Sequence, residues 1–249
     1  MLPFKSFIQL EEQLLKSIMK KLYGGEKFVS WFDMDDTLVK HEEDDTLAKH
    51  EQKKGAKVHV NDEKGNRVES LSTSEFNTHV QGNKLKPGHS YDFKEFTDAK
   101  IFANSAHPIR KMMNHAQRLL DNGHHVHIIT ARSDFDHPEI LLGALKQMGL
   151  DTSHPNFHLH RAGNYGKNPT HINKARMLHR ILTEPKFGLS GIKHVVGYDD
   201  HKPNVDDAIH KTPIEGEKSL IDLHPHINFV GVHYTPKGKV KRVYPNGTI

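Results

Sequence analysis

Three carboxylates leave one short apolar run in quick succession: Asp33, Asp35 and Asp36, then Thr37, directly after Phe28, Val29, Trp31 and Phe32. That β-branched and aromatic run reads as a strand buried on both faces. Like charges aimed off the end of such a strand repel one another, and a bound divalent cation is the simplest counter-ion. An acidic turn capping the next element is the alternative. A calcium loop does not fit, because Leu38 stands where that loop needs glycine and a strand rather than a helix leads in.

The elements that must position these groups follow from periodicity. Residues 4 to 22 carry apolar side chains at helical spacing and stop at Gly24-Gly25, which predicts an amphipathic helix. Lys40 to Lys57 is charged and almost free of apolar residues, so it reads as a solvated loop or exposed helix. Lys57 to Leu71 alternates about a turn at residues 62 to 66, a hairpin pattern. Ser72 and Glu75 then stand at capping-box spacing before a short helix. Tyr91, Phe93, Phe96 and Phe102 follow as an aromatic series that anchors this region. From Ile109 onward, helix and strand alternate regularly. Strands are expected at 125–129, 157–160, 192–198 and 227–234, helices at 109–122, 138–148, 173–182 and 204–209, and a closing hairpin turns at 236–239. Such alternation gives an α/β fold with a doubly wound, parallel, five-stranded Rossmann-like sheet.

Parallel strands end on a common edge, where open α/β sheets place their ligands. There the first strand offers Asp33 and Asp35, the second Thr130, and the fourth Asp199 and Asp200. Lys174 opens the helix before the fourth. Carboxylates, a hydroxyl and an ammonium are the inventory for holding Mg²⁺ and a phosphoryl group, with one carboxylate to attack.

These residues together resemble the four motifs of the haloacid dehalogenase (HAD) superfamily. They are Asp33-Met34-Asp35-Asp36-Thr37 after a strand, Ile128-Ile129-Thr130, Lys174 early in a helix, and Asp199-Asp200 after a strand. The resemblance covers residues 27 to about 235 apart from the insert. It implies that Asp33 forms an aspartyl-phosphate, that Asp35 protonates the leaving oxygen and then activates water, that Thr130 hydrogen-bonds the phosphoryl group, and that Lys174 neutralises charge. The implied Mg²⁺ ligands are the Asp33 carboxylate, the Asp35 carbonyl and the motif-four pair, Asp199 directly and Asp200 directly or through water. Asp36 would support the turn. Dehalogenases lack an acid at the position of Asp35 and transport ATPases carry threonine, so the resemblance implies a phosphatase or, less often, a phosphotransferase.

By the same resemblance, residues 1–39 and 106–249 form the HAD-like catalytic core and residues 40–105 a small cap, which leaves the cleft open to a bulky phosphorylated substrate. Substrates from a nucleotide or sugar phosphate to a nucleic-acid end fit that inventory, and a polynucleotide end phosphatase is the enzyme alternative. A non-catalytic binding or structural protein of the same fold is the alternative from another class. Arg161-Ala-Gly-Asn164 adds a faint likeness to uncharacterised members from tailed phages, which names no substrate. Arg132 is a candidate substrate-binding residue or a partner of Asp134 or Asp136; Arg161 and Lys202 are further candidates, and Asn204 reads as a supporting or capping residue.

Composition sets the remaining bounds. The chain has 249 residues, no cysteine, 22 histidines and a net charge of +4, which weakly favours a phosphorylated or polyanionic partner. Disulfides, thiolate metal sites and a cysteine nucleophile are therefore excluded. No apolar run is long enough to span a membrane, and the first residues lack a signal-peptide plan, so a cytoplasmic protein is expected, in the host cytoplasm if phage-encoded. His125 with His127, and His158 with His160, each share a strand face. A zinc pair is conceivable there, although ordinary core and surface histidines are the simpler reading. His41 and His50 are expected to be solvated.

Overall fold

The computed structural model describes residues 27–41, 56–166, 168–214, 218–234 and 240–244. The helix expected over 4–22, most of the charged stretch that follows the first strand, including His50, and the turn at 236–239 lie outside these residues. The first strand, β1 (Val29–Phe32), is buried at every position. Val29 and Trp31 enter one apolar cluster while Phe28 and Phe32 enter another, as a strand covered on both faces requires.

β1 is the middle of the sheet. It pairs in parallel with β7 (His125–Thr130) on one side and β9 (His194–Asp199) on the other. β8 (Phe157–Arg161) extends the sheet beyond β7, and β10 (Asn228–Tyr234) extends it beyond β9, both in parallel. β11 (Val240–Tyr244) closes the edge antiparallel to β10, completing the order β11-β10-β9-β1-β7-β8. The chain is thus α/β around five parallel strands, with the order reversing on either side of β1.

Helices lie on both faces. One core joins β1, β7 and β9 to Met112, Met113 and Ala116 of a helix at Arg110–Asp121 and to Leu141 and Leu145 of a helix at Pro138–Gln147. The other takes Ala175, Leu178 and Ile181 from a helix at Thr170–Thr183, and Val205, Ala208 and Ile209 from short helices at Lys202–Val205 and Asp207–His210. Two glycines make this second face possible. A Cβ on Gly197 would stand 2.3 Å from the Trp31 ring, and one on Gly231 would stand 2.0 Å from the Val205 carbonyl oxygen. Without them the indole could not lie across β9 and the Lys202–Val205 helix could not approach β10. Among the described residues, no helix is long and apolar enough to cross a membrane.

The region after β1 leaves along β2 (Val39–His41) and returns along β6 (Ala106–Pro108), which pair antiparallel. Beyond this neck stands a separate sheet of β3 (Val58–Asn61), β4 (Arg67–Leu71) and β5 (Ser90–Asp92), in the order β4-β3-β5. The hairpin and the following helix (Thr73–Gln81) appear where local pattern places them, and the helix starts at the Ser72–Glu75 capping box. β2, β5 and β6 escape sequence reading because each has only three residues. The aromatic series also divides. Tyr91, Phe93 and Phe96 gather with Phe76 around the small sheet, whereas Phe102, on a helix at Ala99–Ser105, packs into the larger core beside Phe135.

Candidate active site

Asp33 continues β1, and its backbone N–H donates to the Tyr198 carbonyl at 2.8 Å, locking the end of β1 to the end of β9. The chain then turns sharply, with the Leu38 and Val39 amides both donating to the Met34 carbonyl at 3.0 Å. Asp36 holds the left-handed position of this turn at φ 57°, a conformation aspartate adopts more readily than most residues. Thr37 ties the turn across to β9, its hydroxyl oxygen accepting from the Asp200 amide at 3.1 Å.

Lys174 binds the two strand ends together. Its ammonium donates to Asp33 Oδ1 and to Asp199 Oδ2, each at 2.6 Å. All three groups are buried, and the Trp31 ring lies 5.9 Å from Nζ. Burial by itself would discharge the lysine, but Asp199 and Asp33 outweigh it and hold the ammonium charged, above its ordinary value. Asp199 is further saturated. The His201 amide donates to Oδ1 at 2.8 Å, and Asn204 Nδ2 reaches both carboxylate oxygens at 3.0 Å. Asn204 is the supporting residue that its spacing indicates.

Asp200 differs from its neighbour. Its oxygens meet no hydrogen-bond donor among the described residues, while ligand atoms of Asp33, Asp199 and Asp200 all lie within 4.8 Å of one another. Burial, followed by repulsion from Asp199, Asp33 and Asp36, pushes the Asp200 carboxyl up to about 9. Burial likewise raises Asp33 to about 7, against the pull of Lys174 and with Asp199 and Asp35 adding to the rise. Three close carboxyl groups thus meet one ammonium among the described residues, which reaches Asp33 and Asp199 but not Asp200. Carboxylate oxygens are the ligand type Mg²⁺ takes.

Asp35 is held apart from this cluster. Arg132 grips it in a two-pronged ion pair, Nε to Oδ2 at 2.9 Å and Nη2 to Oδ1 at 2.8 Å. His41 Nε2 stands 3.0 Å from Oδ1, with its Nδ1 on the Ser105 hydroxyl. Burial opposes ionisation of Asp35, but the Arg132 charge and the His41 and Arg132 hydrogen bonds prevail, holding it well below the usual carboxylate range. Arg132 therefore pairs with neither of the nearby aspartates. Asp134 meets Arg161 at 3.2 Å, and Asp136 accepts from the Ala99 and His137 amides. The guanidinium is also sandwiched among Phe96, Phe102 and Phe135, with the Phe96 ring centre 4.7 Å away, and donates to the Phe96 carbonyl.

The expectation that His41 is solvated fails. Pairing of β2 with β6 sets it beside Ser105 and turns its ring toward Asp35. Nothing in the local charge pattern marks this, because Ser105, 64 residues away, reaches His41 only through the β2–β6 pairing. Thr130, fully buried at the end of β7, accepts from the Arg132 amide at 3.1 Å. The Arg161–Asn164 tract braces the same loop: a Cβ on Gly163 would stand 2.3 Å from the Ala131 carbonyl oxygen, and the Asn164 side-chain oxygen accepts from the Asp134 amide. Lys202 reaches Asp206 at 3.6 Å. A cavity of about 330 Å³ lies away from the carboxylates, between β8 and the Thr170–Thr183 helix, with Arg161, Tyr165 and Arg180 in its wall.

No protein-family model matches this chain, and no curated protein matches it.

Proposed function

We propose that this protein is a Mg²⁺-dependent phosphomonoester hydrolase of the haloacid dehalogenase type, working through an aspartyl-phosphate on Asp33. The observation that carries the reading is the buried Asp33–Lys174–Asp199 bridge with Asp200 alongside. It gathers one carboxylate able to attack, one fixed cation and one carboxylate with open coordination at the ends of adjacent parallel strands. The doubly wound form of the sheet and a cap spanning residues 40–105 belong to the same proposal, supported by the central place of β1 and by the β2–β6 neck.

In this reading Asp33 Oδ2, the oxygen not held by Lys174, attacks phosphorus. Lys174 opposes the burial that raises Asp33 and offsets charge on the transferring group. Asp33, Asp200 and the Asp35 main-chain carbonyl would hold Mg²⁺, which supplies charge neutralisation at the phosphoryl oxygens. The resemblance puts Asp199 first among the metal ligands, but the donors filling both its oxygens favour Asp200 as the direct ligand, with Asp199 orienting Lys174. The Thr130 hydroxyl donates to a phosphoryl oxygen. Asp35 is ionised in its clamp with both oxygens occupied, so both of its roles require release from Arg132 and His41: once free it takes a proton from solvent, gives it to the leaving oxygen, and then accepts one from the hydrolytic water.

The test is phosphate release from a panel of nucleotides, sugar phosphates and oligonucleotides phosphorylated at either end, with Mg²⁺ and with chelator. Expected is Mg²⁺-dependent turnover of at least one class, cut at least about 10³-fold by Asp33→Asn. Turnover that survives Asp33→Asn overturns the nucleophile, and silence across the panel overturns the hydrolase. Preference for oligonucleotide ends that weakens steeply with salt would make the substrate a nucleic acid.

A further inference from the structure

The opposite end of the same sheet holds a second cluster that phosphoryl chemistry does not use. His125 and His127 project from one face of β7, and His158 on β8 sits in register with His127. Ligand nitrogens of these three rings lie within 4.8 Å of one another. His127 is fully buried, and its Nε2 has no hydrogen-bond partner among the described residues. Its other nitrogen, Nδ1, is engaged by His160 Nε2 at 2.9 Å. Phe187 closes over the group edge-on, its ring centre 5.6 Å from His127 and 4.9 Å from His158. His125 Nδ1 is likewise buried without a partner among the described residues.

We propose that His125, His127 and His158 bind a borderline divalent transition-metal cation, with Zn²⁺ the best match. An unpaired nitrogen on a wholly buried ring costs stability unless something coordinates it, and that nitrogen belongs to the ring at the middle of the cluster. Three neutral imidazoles with no carboxylate suit zinc or copper, whereas Mg²⁺ requires oxygen. The His127–His160 bond is the second contact a metal-bound histidine ordinarily makes, since it fixes the ring and its tautomer. A tetrahedral zinc centre sets its nitrogens about 3.4 Å apart, so the rings need only modest rotation to close on an ion. The fourth position falls to water. Lys186, the cation that acts on His158, is itself paired with Glu184. Three to five strand residues separate His127 and His125 from Thr130, roughly 10–16 Å, so this centre is distinct from the carboxylate cluster.

The experiment uses the full chain stripped of metal and titrated with Co²⁺ in excess Mg²⁺. Expected are the visible d–d bands of four-coordinate cobalt saturating at one equivalent, their loss on addition of Zn²⁺, and a rise in melting temperature with Zn²⁺ but not with Mg²⁺. The His125→Gln/His158→Gln variant should lose the bands and the zinc-dependent rise together. Any Mg²⁺-dependent phosphate release should persist, which separates this site from the hydrolase reading. Absence of bands in the wild type, or bands that persist in the variant, overturns the proposal. Should the variant fail to fold, X-ray absorption on the zinc-loaded wild type decides: about three imidazoles per ion supports the site, and fewer than two overturns it.

Discussion

The two ends of one parallel sheet solve opposite problems. At the carboxyl ends, Asp33, Asp199 and Asp200 bring three carboxyl groups together in the interior, and two of them are met by donors: Lys174 for Asp33, and Lys174, Asn204 and the His201 amide for Asp199. At the amino ends of β7 and β8, neutral imidazoles are packed against one another, and two of their nitrogens have no partner among the described residues. The difference follows from cost. A buried charge without a partner costs several kcal/mol, so the fold recruits partners from distant strands and helices. A buried neutral nitrogen costs about 1–3 kcal/mol, which a core of this size can carry. An end that requires a counter-ion is thus tightly organised even without one, whereas the imidazole end needs a ligand only to satisfy its last nitrogens.

Three substitutions probe that contrast. Lys174→Met should have the largest effect, because it leaves two buried carboxylates facing each other. A loss of roughly 3–5 kcal/mol is expected in denaturant unfolding without Mg²⁺, together with loss of phosphate release. A loss under about 1 kcal/mol would show that the carboxylate end does not depend on its ammonium. Arg132→Lys keeps the charge beside Asp35 but gives up the two-pronged geometry and the ring sandwich, and should cost roughly 1.5–3 kcal/mol by the same measurement. An unchanged midpoint would mean that the Asp35 clamp is not a structural contact.

The third effect vanishes at neutral pH. His115 is buried beside Phe32 and Tyr198, its Nε2 2.9 Å from the Tyr198 hydroxyl, and burial lowers it to about 4. The unfolded chain therefore binds a proton below pH 6.5 that the folded chain does not. Stability should fall as pH drops from 6.5 and level off below about 4, by on the order of 3 kcal/mol from this residue. His115→Gln should flatten that part of the stability–pH curve. An identical slope in the variant would assign the acid sensitivity to other groups.

Much of this architecture is legible from local pattern. The parallel strands announce themselves as short apolar runs. The Ser72–Glu75 cap and the hairpin before it are written within a few residues, because their hydrogen bonds join near neighbours. The candidate site is legible in part for the same reason: Asp33, Thr130 and Asp199 each stand at the end of a recognisable strand, whereas the helix expected to open at Lys174 begins at Thr170 and carries Lys174 in its second turn. What escapes is pairing across distance. Asp35 and Arg132 are 97 residues apart, and no local signal distinguishes Asp35 from Asp134 or Asp136 as the partner of that guanidinium.

The sequence by itself determined which residue types reach the sheet edge, since apolar periodicity dictates where strands stop and the next residues emerge. Tertiary structure alone decided how those residues divide their work. Strand order brings Lys174 between Asp33 and Asp199, the Gly197 gap lets Trp31 lie across β9 near the lysine, and the β2–β6 neck turns His41 onto Asp35. Each of these depends on which strand lies beside which, a global property of packing that no short stretch of chain encodes.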